Sequence, residues 1–302
     1  MTSVWRKRLR RALAFAALAV AAWLLASYAA VYRLTRRSGP YRPEPVPPVV
    51  WGEITPFRLG TPDGEDLGAW FVPGRPGPPP VLLLHGNGGC RSACLREAEL
   101  IAGTGSPVLL ISFRAHGDST GEVNDFGYAA RRDVAAAVDW LWARDPGRPV
   151  VCWGRSLGAA AAVFAAPELG DRVGGYILEC PYQDLRTATR NRTRMHLPPV
   201  LDFVAYAGFS AVAPAVLPDA EAVSPLKAAA RVPAAARVLI LAGGEDRRAT
   251  PDEARALAGA LGDRAELVVI GKGDHLRLSE ADPATYRDAV TGFLDRCGRP
   301  AR

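Results

Sequence analysis

The sequence predicts an open, mostly parallel α/β sheet of the doubly wound type, preceded by one membrane-spanning helix. Three observations support this fold class: an early pair of short alternating strands, a later series of continuous apolar runs, and helical stretches between those runs. Continuous apolar runs are typical of parallel strands buried on both faces, because helices cover the sheet on each side. Their alternation with helices indicates a doubly wound architecture.

The first two strands are predicted to form an antiparallel hairpin. Residues Ile54–Leu59 and Leu67–Val72 alternate apolar and polar side chains, and Thr61-Pro62-Asp63-Gly64 between them is a turn signal. The apolar runs that follow are Val81–Leu84, Val108–Ser112, Val150–Trp153, Tyr176–Leu178, Val238–Leu241 and Leu267–Ile270. We expect these runs to be the parallel strands.

Helical stretches separate most of the apolar runs. In Ala129–Trp142 the apolar residues repeat at helical spacing, and Leu157–Ala166 is rich in alanine, the residue of highest helix propensity. Asp252–Leu261 and Pro283–Arg296 follow the last two runs, and proline is favoured at the first position of a helix. These stretches supply the connections that parallel strands require.

The net charge of +6 is confined to the N-terminal segment. Residues 1–42 hold nine of the 37 basic residues and no acid, so the remaining 28 basic residues face 31 acids and residues 43–302 carry −3. A nucleic-acid-binding domain needs a basic surface spread over its fold. The distribution therefore excludes DNA or RNA as a main partner.

Residues 1–38 are interpreted as a basic N-terminus and a transmembrane anchor. The run 12–32 contains 21 residues without a charge and is flanked by arginines. At about 1.5 Å per residue it extends about 31 Å, enough to cross a hydrocarbon core of about 30 Å. A cleaved signal peptide, with Ser27-Tyr28-Ala29 as its cleavage site, is the alternative, but its apolar region is normally about 7–15 residues long. We therefore expect an uncleaved anchor.

The charges around the span predict its orientation. Five basic residues precede the span and three follow it closely. The positive-inside bias then favours a cytoplasmic N-terminus. The rest of the chain is expected on the non-cytoplasmic side.

The linker is predicted at 39–48 (GPYRPEPVPP), which contains five prolines in ten residues. A segment so rich in proline cannot join a helix or a central strand and is typical of a stiff, extended spacer. The folded domain is therefore expected at 49–302. Its roughly 250 residues are a reasonable size for a single α/β domain.

Gly154-Arg155-Ser156-Leu157-Gly158 carries the strongest chemical signal in the chain. It follows the run Val150–Trp153 and precedes an alanine-rich helix, which is the strand–turn–helix context of a nucleophile elbow. In such an elbow the serine lies in a strained turn at a helix N-terminus, and its glycine neighbours must be small for the turn to close. We therefore predict Ser156 as a catalytic nucleophile.

A serine nucleophile needs a general base and an acid that orients it. The chain has four histidines: His85, His116, His196 and His275. Of these, His275 follows the run Leu267–Ile270 and therefore lies at the carboxyl edge of the sheet, where Ser156 also emerges. Asp246 follows the run Val238–Leu241 at the same edge and is the predicted acid, with Glu179 as the alternative.

Two backbone amides are predicted to form an oxyanion hole. The loop His85–Gly89 (HGNGG) follows the first parallel strand and is expected to pass the nucleophile. The N–H groups of Asn87 and Leu157 are the expected donors to a tetrahedral intermediate. His85 itself is expected to support this loop, whereas His116 and His196 are expected to be surface residues.

Neither a metal nor a cofactor is expected. The five cysteines, at positions 90, 94, 152, 180 and 297, form no cysteine or histidine cluster with zinc-ligand spacing. The glycine-rich loop lacks the Lys-[Ser/Thr] ending of a phosphate-binding loop. Buried or inert thiols are the default for such scattered cysteines.

Three segments carry a family resemblance. They are HGNGG, the FRAHGDSTG stretch at Phe113–Gly121 and the GRSLG elbow, and the order Ser156, Asp246, His275 agrees with them. Over about residues 50–298 the chain resembles the α/β-hydrolases of the serine hydrolase type, in particular the single-pass, membrane-anchored group of α/β-hydrolase-domain proteins. It departs from that group at Ala115-His116, where glycine and a variable residue are usual.

The resemblance implies an α/β-hydrolase fold with a small cap insertion at about 182–226. The apolar stretch Val200–Leu217 in this segment carries little charge, and four arginines precede it: Arg186, Arg190, Arg192 and Arg194. Such a cap near a membrane would admit an acyl chain, with the arginines attracting an anionic head group or the lipid surface. A pair of packing helices with a solvated basic face is the alternative.

The sequence therefore predicts a membrane-anchored serine hydrolase that cleaves carboxylic ester or thioester bonds through an acyl-enzyme intermediate. The expected partners are a small-molecule or lipid-like acyl substrate and the membrane. Two alternatives stay open. They are a serine peptidase of the same fold and a membrane-tethered binding protein that keeps the fold without the chemistry.

Overall fold

The computed structural model describes residues 3–37 and 39–298. Within them, eight strands form one sheet in the order β1-β2-β4-β3-β5-β6-β7-β8. The strands are β1 (Thr55–Gly60), β2 (Asp66–Val72), β3 (Val81–Leu84), β4 (Val108–Ile111), β5 (Val150–Arg155), β6 (Val173–Glu179), β7 (Arg237–Gly243) and β8 (Ala265–Ile270). The β1–β2 and β2–β4 pairs are antiparallel, and the other pairs are parallel.

Helices cover both faces of the sheet, so the apolar runs are buried on two sides. The helices are α1 (Ser3–Leu34), α2 (Leu95–Thr104), α3 (Arg131–Arg144), α4 (Leu157–Leu169), α5 (Leu185–His196), α6 (Pro199–Val216), α7 (Pro225–Ala229), α8 (Pro251–Leu261), α9 (Leu278–Ala281) and α10 (Pro283–Cys297). One core lies under α3, α4, α7 and α8, and the other lies under α2 and α10. The predicted doubly wound sheet with its N-terminal hairpin is confirmed.

The central strands are longer than their apolar runs. β5 continues to Arg155 and β6 begins at Val173, before the two glycines that precede Tyr176. Backbone pairing with the neighbouring strands extends these ends beyond the apolar runs. Arg155 and Glu179 are opposite each other in this ladder, at the carboxyl edge of the sheet.

The N-terminal helix α1 has 32 residues and is long and apolar enough to cross a membrane. The 18-residue helix α6 meets the same criteria of length and composition. The two helices pack against each other, and α5 packs on α6. The segment predicted as a cap thus forms a helical hairpin of α5 and α6 between β6 and β7.

The proline-rich segment lies along the folded domain. Glu44 forms an ion pair of 2.8 Å with the buried Arg91, and its carboxylate also accepts a hydrogen bond of 2.8 Å from the Ser112 hydroxyl. Just before this segment, the guanidinium of Arg37 donates hydrogen bonds to the carbonyl groups of Gly117, Ser119 and Gly121. The chain is therefore attached to the folded domain within this segment, at Glu44, and just before it, at Arg37.

Candidate active site

Ser156 lies in the sharp turn between β5 and α4. Its backbone has φ 52° and ψ −106°, a strained conformation for a residue with a side chain. A Cβ at Gly154 would overlap the backbone of Gly158, and a Cβ at Gly158 would overlap the carbonyl oxygen of Leu84. Glycine at both positions is therefore what allows the turn to close and to present the serine side chain at the sheet edge.

The structure brings Ser156, His275 and Asp246 together. His275 Nε2 is 3.2 Å from Ser156 Oγ, and His275 Nδ1 is 2.7 Å from Asp246 Oδ2. All three side chains are buried. Because a carboxylate only accepts hydrogen bonds, we assign the proton to Nδ1, which leaves Nε2 free to accept a hydrogen bond from the serine hydroxyl.

The loops after β7 and β8 hold the acid and the base next to each other. Gly244 N donates to the carbonyl oxygen of Ile270 at 2.8 Å, and Glu245 N donates to the carbonyl oxygen of Gly273 at 2.9 Å. Asp246 Oδ1 accepts hydrogen bonds from the amides of Arg248 and Ala249. Both oxygens of the Asp246 carboxylate are thus used, one for the loop and one for the imidazole.

The pKa of Asp246 lies below its ordinary value. Burial raises the pKa, but the hydrogen bond and the charge of His275, together with the amides of Ala249 and Arg248, lower it by more. The carboxyl group is therefore ionised at neutral pH. An ionised acid at this position stabilises an imidazolium that forms on His275.

Glu179, the alternative acid, makes different contacts. Its carboxylate accepts hydrogen bonds from Arg155 Nε at 2.9 Å, from the Tyr286 hydroxyl at 2.9 Å and from Trp153 Nε1 at 3.3 Å. Arg155 also pairs with Glu97. The negative charge of Glu179 raises the pKa of Arg155, burial lowers it, and the charge of Glu97 raises it further. The net effect is a raised pKa, so Arg155, the residue before Ser156, stays positively charged.

The loop after β3 passes the nucleophile, as expected from its place in the sheet. Asn87 and Leu157 line one cavity with Ser156. Leu157 is the first residue of α4, so its amide has no partner within the helix. Within residues 3–37 and 39–298 the Asn87 amide donates no hydrogen bond. Both N–H groups are therefore available to an oxygen atom in the cavity.

Two buried side chains fix the conformation of this loop. His85 accepts a hydrogen bond from the Phe113 amide at Nε2 (3.0 Å) and donates from Nδ1 to the carbonyl oxygen of Gly86 (2.8 Å). Burial and the neighbouring His116 lower the pKa of His85 to about 3, so the imidazole is neutral. The side chain of Asn124 donates a hydrogen bond of 2.7 Å from Nδ2 to Asn87 Oδ1. The backbone amide of Asn124 donates to the carbonyl oxygen of Thr35, just after α1.

The expectation for His116 is wrong, because the residue is buried rather than exposed. Its Nδ1 is bonded to the carbonyl oxygen of Arg114 at 2.9 Å, and its ring lies edge-on to His85 with the centroids 5.1 Å apart. The preceding Ala115 has φ 58°, which turns the chain inward at the position where glycine is usual. His196 is exposed, as expected, and lies at the cavity wall.

The cavity at Ser156 has a volume of about 450 Å³ and is mostly apolar. Its apolar lining comes from α1, α4, α5, α6 and connecting loops: Leu34, Phe126, Leu157, Tyr182, Leu185, Ala188, Leu197 and Phe209. Arg192 and Arg248 line the same cavity. The volume is in the range of small-ligand pockets, about 300–1,000 Å³.

The four cap arginines have different environments. Arg186 pairs with Glu221, and Arg190 with Asp202, whereas Arg194 is exposed. Arg192 lies in the cavity, where burial and the neighbouring Arg248 lower its pKa. Among the residues that the structure describes, neither Arg192 nor Arg248 forms a salt bridge, which leaves two guanidinium groups facing the site without an acidic partner.

One group of side chains in the described ranges offers metal-binding atoms close together, namely Cys180, Asp246 and His275, within 4.8 Å of one another. Asp246 and His275 are already hydrogen-bonded to each other. Burial raises the pKa of the Cys180 thiol well above its ordinary value, so the thiolate that binds a metal is disfavoured. This donor set suits a Ser-His-Asp site better than a metal centre.

Comparison with known proteins bears on the fold. A family model of the alpha/beta hydrolase fold matches residues 79–213. The solved structure of Pyrococcus furiosus esterase Pf2001 superposes with a TM-score of 0.69 at 22% identity, and the match covers 85% of this chain and 97% of that one. The chain has the α/β-hydrolase fold.

Curated relatives of the chain include proteins named as lysophosphatidylserine lipases. Human protein ABHD12B is 30% identical over 148 residues, which is 47% of this chain and 40% of that protein. The chicken lysophosphatidylserine lipase ABHD12 is 30% identical over 148 residues, 47% of this chain and 38% of that protein. The matched region spans less than half of the length of these relatives.

Three residues at this site were not predicted from the sequence. Asn124 and Arg248 have no motif of their own, because their positions at the site result from contacts between distant loops. Leu34, at the end of α1, lines the cavity although it follows the predicted span. For Arg248 a signal existed, since it lies two residues after the predicted acid and in the same loop.

Proposed function

We propose that the protein is a membrane-anchored serine hydrolase that cleaves carboxylic ester or thioester bonds through an acyl-enzyme intermediate. The observation that carries the proposal is the chain of contacts from Ser156 Oγ to His275 Nε2 at 3.2 Å and from His275 Nδ1 to Asp246 at 2.7 Å. A serine hydroxyl is a weak nucleophile by itself and is activated by a base within hydrogen-bond reach. This geometry supplies that base and its orienting acid.

In the first half-reaction Ser156 Oγ attacks the carbonyl carbon of the substrate while His275 Nε2 takes the hydroxyl proton. The carbonyl oxygen becomes an oxyanion, which the amides of Asn87 and Leu157 stabilise. The tetrahedral intermediate collapses, the bond to the alcohol or thiol breaks, and His275 returns the proton to that leaving group. Ser156 is then esterified by the acyl group.

In the second half-reaction water replaces the alcohol. His275 Nε2 takes a proton from the water, whose oxygen attacks the acyl carbon and forms a second oxyanion. Collapse of this intermediate releases the carboxylic acid, and the proton on His275 returns to Ser156 Oγ. Asp246 keeps the imidazole in one tautomer and stabilises its charged form throughout.

We infer a lipid-like acyl substrate from the cavity and from the relatives. The apolar lining at Ser156 suits an acyl chain, and the volume of about 450 Å³ suits a molecule larger than a short ester. Lysophosphatidylserine, the substrate in the name of the chicken relative, has an acyl chain and an anionic head group. Among the described residues, Arg192 and Arg248 have no acidic partner, so they would bind such a group.

We further propose that α1 anchors the protein in the membrane, with the catalytic domain on the non-cytoplasmic side. The length and hydropathy of α1 support the anchor. The basic residues before its apolar run support the orientation. A C-terminal reporter that is active only in the cytoplasm tests it. The reporter should be inactive, and an active reporter would reverse the orientation.

A fluorophosphonate probe tests the enzymatic function. Such probes react with a serine that a neighbouring base has activated, so the wild-type chain should be labelled and the Ser156→Ala variant should not. Ser92→Ala, which changes another serine outside the cavity, is the control and should be labelled like the wild type. A folded wild-type protein that stays unlabelled would support the tethered binding protein instead.

A substrate panel separates the ester and peptide alternatives. The panel compares p-nitrophenyl esters and thioesters of increasing acyl chain length with peptide amides of similar size. We expect kcat/KM to rise with acyl chain length and amides to be turned over slowly. Faster cleavage of the amides than of every ester would identify a peptidase of this fold.

A further inference from the structure

Helices α1 and α6 are packed closely along their lengths. Trp23 Nε1 donates a hydrogen bond of 3.3 Å to the carbonyl oxygen of Val204. One turn further along each helix the buried Ser27 lies against Gly208, where an added Cβ would overlap the serine hydroxyl. Small residues at a helix–helix contact let two backbones approach closely, which is typical of helix pairs in membranes.

The contacts show that the two helices run in the same direction. Trp23 lies beside Val204 and Ser27 beside Gly208, so residue numbers rise together on both helices. Trp23 is 11 residues before Leu34, the last residue of α1. At about 1.5 Å per residue this is about 16 Å, which matches half of a hydrocarbon core of about 30 Å. The first turns of α6 therefore lie beside the middle of the span.

The first turns of α6 expose a group of large apolar side chains. Val200 is 75% exposed, Leu201 55% and Phe203 64%. Asp202, the acid of this helix, points inward, where it accepts hydrogen bonds from the Thr193 hydroxyl and from Arg190. The surface presented outward is thus apolar and uncharged. Contiguous exposed apolar surface of this kind marks an interaction site.

We propose that α6 is embedded in the lipid bilayer beside α1, with Val200, Leu201 and Phe203 in contact with acyl chains. The proposal rests on the anchoring role proposed for α1. It commits to lipid as the partner because the apolar surface of α6 is continuous with α1, and α1 at this depth is surrounded by lipid. Water at this surface would leave three large apolar side chains exposed.

A groove between α1 and the C-terminal half of α6 adjoins the catalytic cavity. It has a volume of about 130 Å³ and is lined by Val31 of α1 and by Ala213 and Leu217 of α6. Five residues line both the groove and the cavity at Ser156: Leu34, Phe126, Leu185, Thr189 and Phe209. An acyl chain enters the cavity by this route directly from the bilayer.

Spin labels on the full chain in phosphatidylcholine–phosphatidylglycerol vesicles test the placement of α6. The partly exposed Cys90 and Cys297 are replaced by serine, and single cysteines are introduced as Phe203→Cys on α6, Phe15→Cys on α1 and Glu168→Cys on α4. Collisions with oxygen report lipid, and collisions with a water-soluble nickel complex report water. Phe15 tests the anchor alone, and Glu168 is the aqueous control.

We expect the labels at 203 and 15 to be accessible to oxygen and protected from nickel, and the label at 168 to show the reverse. A lipid-embedded label at 15 with a water-exposed label at 203 would overturn the placement of α6 and leave the anchor intact. Water exposure at both positions would overturn the anchor and, with it, the present proposal.

A second variant tests the route into the cavity by activity. Phe203→Asp places a charge in the lipid-facing surface without touching the cavity lining. We expect kcat/KM for a long-chain ester in vesicles to fall about tenfold or more, while a soluble short-chain ester is cleaved as before. Val50→Asp, on a fully exposed residue of the folded domain, is the matched control and should change neither. A kcat/KM for the long-chain ester that is the same in Phe203→Asp as in the wild type would overturn the proposal.

Discussion

His275 Nε2 lies 3.2 Å from Ser156 Oγ, although 119 positions separate the two residues in the chain. This contact can activate the serine only while the proton of the neutral imidazole is on Nδ1. Asp246 fixes that tautomer by accepting the Nδ1 hydrogen. In the proposed reaction, the acid therefore acts by fixing the position of the hydrogen on the base.

Asp246→Asn should lower kcat by about 10⁴-fold with little change in the fold. The asparagine oxygen can still accept hydrogen bonds from the amides of Arg248 and Ala249. Its NH₂ group then faces His275 Nδ1 and favours the tautomer with the hydrogen on Nε2, which cannot accept the serine proton. Ester hydrolysis and circular dichroism measure the two effects.

Asp274→Asn is the matched control for the acid. Asp274 precedes His275 but is bonded to Arg277 at the surface. Its substitution should leave kcat within about threefold of the wild type, because surface changes have small effects. A large loss in Asp274→Asn with little loss in Asp246→Asn would exchange the roles of the two residues.

Glu179→Gln should affect stability more than catalysis. Glu179 is buried and holds Arg155, Trp153 and Tyr286, and Arg155 would keep its second partner Glu97. Hydrogen bonds to charged groups contribute about 1.5–3 kcal/mol, so we expect the free energy of unfolding to fall by about 2 kcal/mol. We expect kcat to fall by less than about tenfold. A loss of kcat as large as in Asp246→Asn would show that Glu179 orients the base.

Gly158→Ala should strongly destabilise the nucleophile elbow. The added Cβ would overlap the Leu84 carbonyl oxygen and lie 2.8 Å from that of His85, and backbone atoms cannot move aside cheaply. We expect a loss of about 3 kcal/mol in urea denaturation. Gly259→Ala in α8, where nothing lies within 4 Å of the new Cβ, should instead stabilise by about 0.5–1 kcal/mol. Equal stabilities of the two variants would contradict this account of the turn.

His85 should make the folded protein sensitive to acid. Its pKa is about 3 in the folded chain, because burial and His116 lower it, and about 6.5 in the unfolded chain. Between these values the unfolded chain binds one more proton, so the free energy of unfolding falls as pH falls, by up to about 1.4 kcal/mol per pH unit. Above pH 6.5 this contribution to stability is fully present.

Urea denaturation between pH 4 and 6 checks the effect of His85. The slope of unfolding free energy against pH should be smaller in His85→Asn than in the wild type by about 1.4 kcal/mol per pH unit. In the wild type, the imidazole resonances of His85 should not titrate above about pH 4 by NMR. Titration near pH 6.5 in the folded protein would contradict the buried neutral state.

Arg192→Gln and Arg248→Gln should reduce activity toward anionic lipids selectively. The two guanidinium groups line the cavity without acidic partners. A charge-assisted hydrogen bond of about 1.5–3 kcal/mol predicts that kcat/KM for lysophosphatidic acid falls about 10–100-fold in each variant. Monoacylglycerol, which lacks the phosphate, should be affected by less than about threefold. Arg255→Gln, on the exposed face of α8, is the control. Equal losses of kcat/KM on both lipids in Arg192→Gln and Arg248→Gln would contradict a preference for anionic lipids.

The sheet and the grouping of Ser156, Asp246 and His275 could be predicted because both follow from chain order. Parallel strands place their carboxyl ends at one edge, so residues that follow β5, β7 and β8 meet there whatever the loops do. The elbow added a local constraint, since its glycines have a steric role that is visible in the sequence.

Contacts between loops could not be predicted in the same way. His116 is buried because the turn at Ala115 directs it toward His85, and neither residue has a periodic pattern that signals burial. The packing of Ser27 on Gly208 depends on two helices that are 181 residues apart at their Trp23–Val204 hydrogen bond. Such pairs become visible only when the chain is folded.

The ion pair of Glu44 with Arg91 has a mechanical consequence. With a flexible linker, the catalytic domain could move freely relative to the proposed anchor and approach lipids at many depths. Fastened at Glu44, and again at Arg37, the domain instead keeps one elevation and one tilt relative to α1. For the proposed lipid substrate, the scissile bond must then lie at the depth of Ser156.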